Sequence, residues 1–233
     1  KVAWGGWWEL GEWGGGSDGL EVRREWPEEW RAREVAVIYG GADTLAFFRE
    51  WLAPETRVIE HGPKISAAFV FSEREGIHRD LAEDIMRYGQ RGCLSVQAIY
   101  VKGDVESFCG KLAGALDEWG RPKIAPTLSE AGAVRNEREL ARFRIANGAD
   151  MAMWESEKST NWTVVWDAES AALRPGPGSG FVRVFPMPEE ISQESLGAES
   201  HFLSTAVCEP IAASDKLETL SPPRICAAGR AQE

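Results

Sequence analysis

Cys93 and Glu60 are the side chains whose type and setting suit covalent chemistry. They lie in two short segments, Val58-Ile-Glu-His-Gly-Pro-Lys-Ile-Ser66 and Tyr88-Gly-Gln-Arg-Gly-Cys-Leu-Ser95. Each reads as a strand–turn junction, where glycines let the backbone approach a substrate closely. Gly89 and Gly92 bracket the approach to Cys93, so the thiol can be exposed and its own N–H can face a developing oxyanion. A carboxylate at Glu60 would manage protons near the sulfur. Taken singly, both residues have blander readings, since a lone cysteine usually fills apolar space and a lone glutamate is usually solvated. A cysteine–histidine hydrolase using His61, His78 or His201 as base is conceivable, although no spacing favours it.

The remaining thiols, Cys109, Cys208 and Cys226, read as packing residues in apolar surroundings. No CxxC pair is present, and the three histidines have no metal-ligand spacing with one another or with the thiols. Reduced cysteines and no metal are therefore expected. A net charge of −11 argues against nucleic acid as a partner, because phosphate binding needs a basic surface. No apolar run approaches the ~20 residues of a membrane helix, and no signal peptide is evident, so a cytoplasmic enzyme is the expectation.

The elements that must position these side chains alternate between strand and helix. Glu34–Tyr39 is almost entirely apolar, as for a strand covered on both faces, and Gly40-Gly41 breaks it. Ala42–Leu52 places Leu45, Phe48 and Leu52 on one helical face. Strands are predicted at Arg57–Glu60, Ser66–Phe71 and Leu94–Val101, with a helix at Ile77–Tyr88 whose acidic residues face solvent. Val105–Trp119 reads as a helix with Phe108, Leu112 and Leu116 in line, and Glu137–Asn147 as a basic, exposed one. Thr163–Trp166 and Phe181–Phe185 read as strands, and the loop Arg174–Gly180 between them suits a hairpin or lobe boundary. The alternation predicts an α/β fold with a largely parallel sheet.

Six of the eleven tryptophans fall in the first 30 residues, mixed with glycine. Such aromatics can line a sugar or quaternary-amine site. Anchoring a loop on a neighbouring sheet is the favoured reading.

Together, the two reactive segments resemble the aldehyde dehydrogenase superfamily. That superfamily carries a glutamate ahead of a Gly-Gly-Lys turn, then a Gly-Gln-x-Cys nucleophile turn some 30-odd residues on. Glu60, Gly62, Lys64, Gly89, Gln90 and Cys93 match that pattern, with Cys93 standing 33 positions after Glu60. The extra residue in Arg91-Gly92 fits a narrower branch, the bacterial acyl-CoA reductases related to the fatty acid reductase of luminescence. Their Gln-x-Gly/Ala-Cys-x-Ser-x-Gln segment is matched by Gln90, Gly92, Cys93, Ser95 and Gln97. Trp4-Gly5-Gly6, Tyr39-Gly-Gly-Ala-Asp43, Gly62-Pro-Lys-Ile-Ser66 and, more loosely, Phe202–Val207 and Pro223-Arg-Ile225 resemble further stretches of that branch.

This resemblance implies an aldehyde dehydrogenase-like three-layer α/β fold in a partial chain. Residues 1–62 would be the remnant of a cofactor-binding domain lacking its first part. Residues 63–180 would form the catalytic domain, and 181–233 would be strands returning to the cofactor and oligomerisation region. It implies Cys93 as nucleophile and Glu60 as general base, Gly40, Gly41 and Gly62 at a nicotinamide cofactor, and His61 and Gln90 in the substrate pocket. NADPH is the implied cofactor, an acyl-CoA or acyl-carrier thioester the implied substrate, and a homo-oligomer the implied assembly. Aldehyde oxidation through the same thiohemiacetal stays open as an alternative, as does a non-catalytic tryptophan-rich binding module.

Overall fold

The computed structural model describes residues 2–5, 20–23, 26–121 and 123–233. Its chain divides into two compact units, 1–63 and 64–233. In the first, strands β1 (Val2–Gly5) and β2 (Leu20–Arg23) pair in parallel. So do β3 (Val35–Tyr39) and β4 (Arg57–His61), which are joined by helix α1 (Ala42–Trp51). Ile38 packs with Leu45, Phe48 and Leu52, supported by Ala36, Trp51 and Val58. This is the helical face expected from the sequence. Trp26 meets Trp30, Phe48 and Trp51 edge-on, so these tryptophans act as anchors. Trp7, Trp8, Trp13 and Gly14–Gly16 lie outside the described residues. β3 differs from expectation: Val35, Val37 and Tyr39 are exposed, so only one of its faces is covered among the described residues.

The second unit is built on one seven-stranded sheet. Its strands are β5 (Ile65–Val70), β6 (Val96–Val101), β7 (Met151–Glu155), β8 (Thr163–Asp167), β9 (Phe181–Pro186), β10 (Leu203–Glu209) and β11 (Arg224–Cys226). The order is β11-β10-β5-β6-β9-β8-β7, with every neighbouring pair parallel except β7–β8. Residues 181–233 thus contribute three strands to the sheet that also holds β5 and β6. The loop Arg174–Gly180 is part of a crossover, not a hairpin, because β8 and β9 run parallel.

Strand alternation sorts the core into two layers. Ala68, Val70, Ile99, Val101, Val182, Val184 and Val207 face helices α2 (Ile77–Met86) and α3 (Val105–Trp119). Ala67, Phe69, Ala98, Tyr100, Phe185 and Cys208 form the opposite core with Leu173, Leu196, Leu217 and Leu220. Helix α3 matches its predicted span: Asp104 caps it by accepting from Ser107 N–H at 3.0 Å, and Gly120 (φ 81°) ends it. Helix α4 (Leu128–Ala146) begins well before the predicted Glu137 and opens on a Thr127/Glu130 capping box. It is not wholly exposed, since Val134, Arg138 and Ala141 are buried.

Helix α2 also departs from expectation, because Asp84 is fully buried instead of facing solvent. Its Oδ2 accepts Gly229 N–H at 2.7 Å and its Oδ1 accepts Ala231 N–H at 3.0 Å. Burial pushes its carboxyl up to about 6, outweighing those two N–H donors, with a smaller push from Asp80 and Glu83 on the same helix. Cys226 on β11 is the titratable neighbour across from it. A raised carboxyl favours the protonated form in the folded state, so its stabilising contribution is complete near pH 4 and is lost as pH rises through 6. Relative to wild type, Asp84→Asn should therefore gain about 2 kcal/mol between pH 4 and pH 7 in urea titrations. A pH-independent difference would remove the ionised carboxyl as its cause.

Candidate active site

Cys93 sits on the turn that feeds β6, and local backbone strain shapes that turn. Helix α2 stops at Met86, short of the predicted Tyr88, and Tyr88, Gly89 and Gln90 then adopt φ of 57°, 63° and 60° in succession. Only glycine takes this left-handed region freely, and each of the other two residues costs about 1 kcal/mol there. At Gly89 a Cβ would stand 3.4 Å from the Ile124 carbonyl oxygen, an ordinary contact, so the left-handed backbone and not lack of space favours glycine.

The strained turn is tied down from four sides. Gln90 is buried, and its Nε2 donates to the Val96 and Phe181 carbonyls at 2.8 and 2.9 Å, linking the starts of β6 and β9. Arg91 makes a two-pronged pair with Glu130 at 3.0 and 2.7 Å and reaches the Ala125 carbonyl at 3.2 Å. That guanidinium holds the Glu130 carboxyl down at about 2. Ser66, fully buried at the start of β5, donates its hydroxyl to the Cys93 carbonyl at 2.8 Å. Ser95 closes the turn with its N–H on the Gly92 carbonyl at 3.0 Å, and its hydroxyl accepts from Gln232 Nε2 at 2.9 Å. Cys93 itself is exposed.

The other thiols contrast with it. Burial pushes Cys109 up to about 12 and Cys208 up to about 11, and it raises Cys226 as well. As predicted, Cys109 and Cys208 are core side chains. The surroundings of His78 and His201 also count against a cysteine–histidine pair. His78 packs on Phe108 with its Nε2 3.3 Å from a Glu73 carboxylate oxygen, while His201 contacts the Ala198 carbonyl and the Phe202 ring. Among the described residues, no group of three or more His, Cys, Asp or Glu side chains comes together to hold a metal.

Gln90 and Cys93 belong to the second unit, whereas Gly40, Gly41, Glu60, His61 and Gly62 belong to the first. There, Glu60 is the penultimate residue of β4, with both carboxylate oxygens taken by Arg49 of α1: Nε reaches Oε1 at 2.6 Å and Nη2 pairs with Oε2. The Arg49 hydrogen bonds and charge hold the Glu60 carboxyl below the usual carboxylate range. His61 stacks on Tyr39, with ring centroids 4.3 Å apart. Gly40 lies against Thr44, where a Cβ would meet Cγ2 at 2.6 Å. Gly41 begins α1 without a side-chain cap, and a Cβ there would meet nothing within 4 Å. A bare helix start beside open space suits a phosphate-bearing ligand. A Cβ on Gly62 would touch Leu45 at 3.4 Å.

The chain matches a known family over most of its length. The family model described as acyl-CoA reductase (LuxC) matches residues 25–232. The chain belongs to that family. Among curated relatives it is 26% identical over 129 residues to the long-chain acyl-protein thioester reductase of Aliivibrio fischeri. That alignment covers 52% of this chain and 27% of the relative. It is 28% identical over 134 residues to the enzyme of the same name from Photobacterium phosphoreum, with 54% and 27% covered. The alignments thus span about a quarter of the relatives' length. Aldehyde dehydrogenase 21 from Physcomitrella patens, solved with its product succinate, shares the fold. Its TM-score is 0.63 at 13% identity, with 92% of this chain and 48% of that one covered. An NADP-dependent glyceraldehyde-3-phosphate dehydrogenase from Bacillus halodurans gives a TM-score of 0.60 at 14% identity, with 84% and 44% covered. The expected aldehyde dehydrogenase-like α/β fold is therefore observed in this LuxC-family chain.

Sequence reasoning singles out Cys93 as the candidate but not the contacts that hold its turn. Ser66 and Ser95 stood inside the quoted motifs without a role. Gln232 carried no signal at all, because nothing in a linear reading brings position 232 to position 95.

Proposed function

We propose that this LuxC-family chain is the acyl-accepting part of an NADPH-dependent reductase that converts a long-chain acyl thioester, on coenzyme A or an acyl carrier, to the aldehyde. The observation that carries the proposal is an exposed cysteine on a strained, four-way anchored turn that leads into the central strand β6. Such pre-organisation suits a nucleophile better than a structural thiol. The Cys93 thiolate attacks the thioester carbonyl, the carrier thiol leaves with a proton, and a new thioester to Cys93 remains. The Cys93 backbone N–H would face the developing oxyanion. When bound, the nicotinamide cofactor supplies the hydride that, together with a proton on the oxygen, turns this thioester into a thiohemiacetal. The thiohemiacetal then loses its hydroxyl proton, the C–S bond breaks, and Cys93 departs as thiolate with release of aldehyde. Gly40, Gly41 and the uncapped start of α1 would hold the cofactor's phosphates, with Gly62 lining the same site. Glu60 would carry protons to and from the sulfur, and His61 would line the acyl pocket. Gln90, its amide committed to two strand carbonyls, serves the reaction by fixing the turn.

Incubation of the protein with palmitoyl-CoA should add one palmitoyl mass on the peptide bearing Cys93, and NADPH should then discharge it as hexadecanal. No adduct, or an adduct elsewhere, would overturn the reading. Free aldehyde consumed with NADP+ faster than palmitoyl-CoA with NADPH would favour the oxidative direction.

Glu60 can act as a base only after it leaves Arg49. With Arg49 in place its carboxyl lies low, so the acid limb of the rate profile lies low too. Arg49→Gln should move that limb toward higher pH, followed as reduction rate against pH. An unmoved limb would take Glu60 out of the proton path.

A further inference from the structure

Asp84 takes no part in the chemistry proposed above, yet it is a buried carboxylate with both oxygens spent on the backbone of one segment, residues 227–232. That segment leaves β11 and turns back along α2. Ala228 and Ala231 plug into the helical core, and Gly229 takes φ 82°. A Cβ on Gly229 would press on Asp80 Cβ at 3.2 Å, so only glycine follows this path closely. With the amides of Gly229 and Ala231 fixed, the next side chain, Gln232, is delivered to the nucleophile turn. Its Nε2 donates to the Ser95 hydroxyl at 2.9 Å, and its Oε1 lies 3.5 Å from where a Cβ on Gly92 would stand. Gly92 and Ser95 flank Cys93 on either side, and the Ser95 N–H closes the turn on the Gly92 carbonyl. The contacts of one amide side chain therefore bracket the nucleophile in sequence.

The geometry points to residues 227–232 as a strap that sets the Cys93 turn, with Gln232 as a positioning residue for acyl transfer and Asp84 as the anchor of the strap. This rests on Cys93 being the acyl acceptor. It adds that the reactivity of Cys93 depends on a side chain 139 positions away in sequence. Gln232 is half-buried and Ser95 fully buried, so the contact can be removed from the strap side without opening the main core.

The test uses the full chain and two readouts. Hydrogen exchange followed by mass spectrometry should show the Gly92–Ser95 amides losing about tenfold in protection in Gln232→Leu and in Asp84→Ala, while the β6 amides keep theirs. Single-turnover acylation by palmitoyl-CoA should slow about tenfold at saturation in Gln232→Leu with little change in the half-saturating concentration. Ser95→Ala should do the same, and the double variant should be no slower than either single one, because both remove one contact. A structural effect spread through the fold would instead give additive losses. Unchanged exchange at Gly92–Ser95 in Gln232→Leu, or additive rate losses, would overturn the strap. If the wild-type protein takes no acyl group, the functional reading fails and the exchange experiment still decides the strap. If Asp84→Ala does not fold, Gln232→Leu carries the test alone.

Discussion

Cys93→Ala is expected to leave no covalent acyl adduct after incubation with palmitoyl-CoA, and Cys93→Ser to acylate roughly 10³-fold more slowly or worse. A hydroxyl has no appreciable oxyanion population at neutral pH, whereas sulfur combines nucleophilicity with good leaving ability, which the two halves of the reaction both need. Because the side chain is exposed, both substitutions should leave stability within about 0.5 kcal/mol of wild type by urea titration. That separation matters. Loss of acylation together with loss of fold would say little, while loss of acylation in a protein of unchanged stability isolates the sulfur. Residual labelling of Cys93→Ala at the wild-type level would end the nucleophile assignment. The buried thiols offer no rescue, since Cys109 and Cys208 are held protonated by burial deep in the two core layers.

Where the sequence was readable, one local signal sufficed. Helix α3 was legible end to end because Phe108, Leu112 and Leu116 repeat at the helical period and Asp104 and Gly120 mark its limits. Strands β5, β6, β8 and β9 were legible as short runs dense in β-branched and aromatic residues, each within a residue or two of its observed span. Strand β7 was not. Met151-Ala-Met-Trp-Glu155 has no alternation, and it is strand only because it pairs antiparallel with β8 at the sheet edge. The first turns of α4 were missed because Leu128, Gly132 and their neighbours bury almost nothing. There the Thr127/Glu130 capping box starts the helix, and the Arg91–Glu130 pair ties it to the nucleophile turn.

The candidate site divides along the same line. A glycine-flanked cysteine is a local pattern, so Cys93 was visible. Its supports are contacts between distant positions. Ser66 lies on another strand, Phe181 begins a third, and Gln232 follows Gly229 and Ala231, whose amides are held by a carboxylate that an amphipathic reading of α2 assigns to solvent. Asp84 fits the polar side of that helix by composition. Only the tertiary fold brings backbone N–H groups to it in a place with no water-facing side.

Gln90 offers the sharpest measure of how far the turn is imposed from outside. Gln90→Ala leaves the Val96 and Phe181 carbonyls without their buried donor and keeps a side chain at φ 60°, so a loss of about 3 kcal/mol is expected in urea titration. Acylation of Cys93 should slow between about tenfold and a hundredfold as the turn loses its fixed geometry. Gln90→Gly loses the same two hydrogen bonds but relieves the left-handed strain, so it should be more stable than Gln90→Ala by about 1 kcal/mol. This inverts the usual order of alanine over glycine in an ordered segment. If alanine proves the more stable, the left-handed backbone before Cys93 is not what the glutamine maintains. If glycine proves the more stable and both variants are slow, then the hydrogen bonds from Gln90 and not its backbone preference set the position of the sulfur. The amide side chain would then oppose strain that the turn must carry to present its thiol.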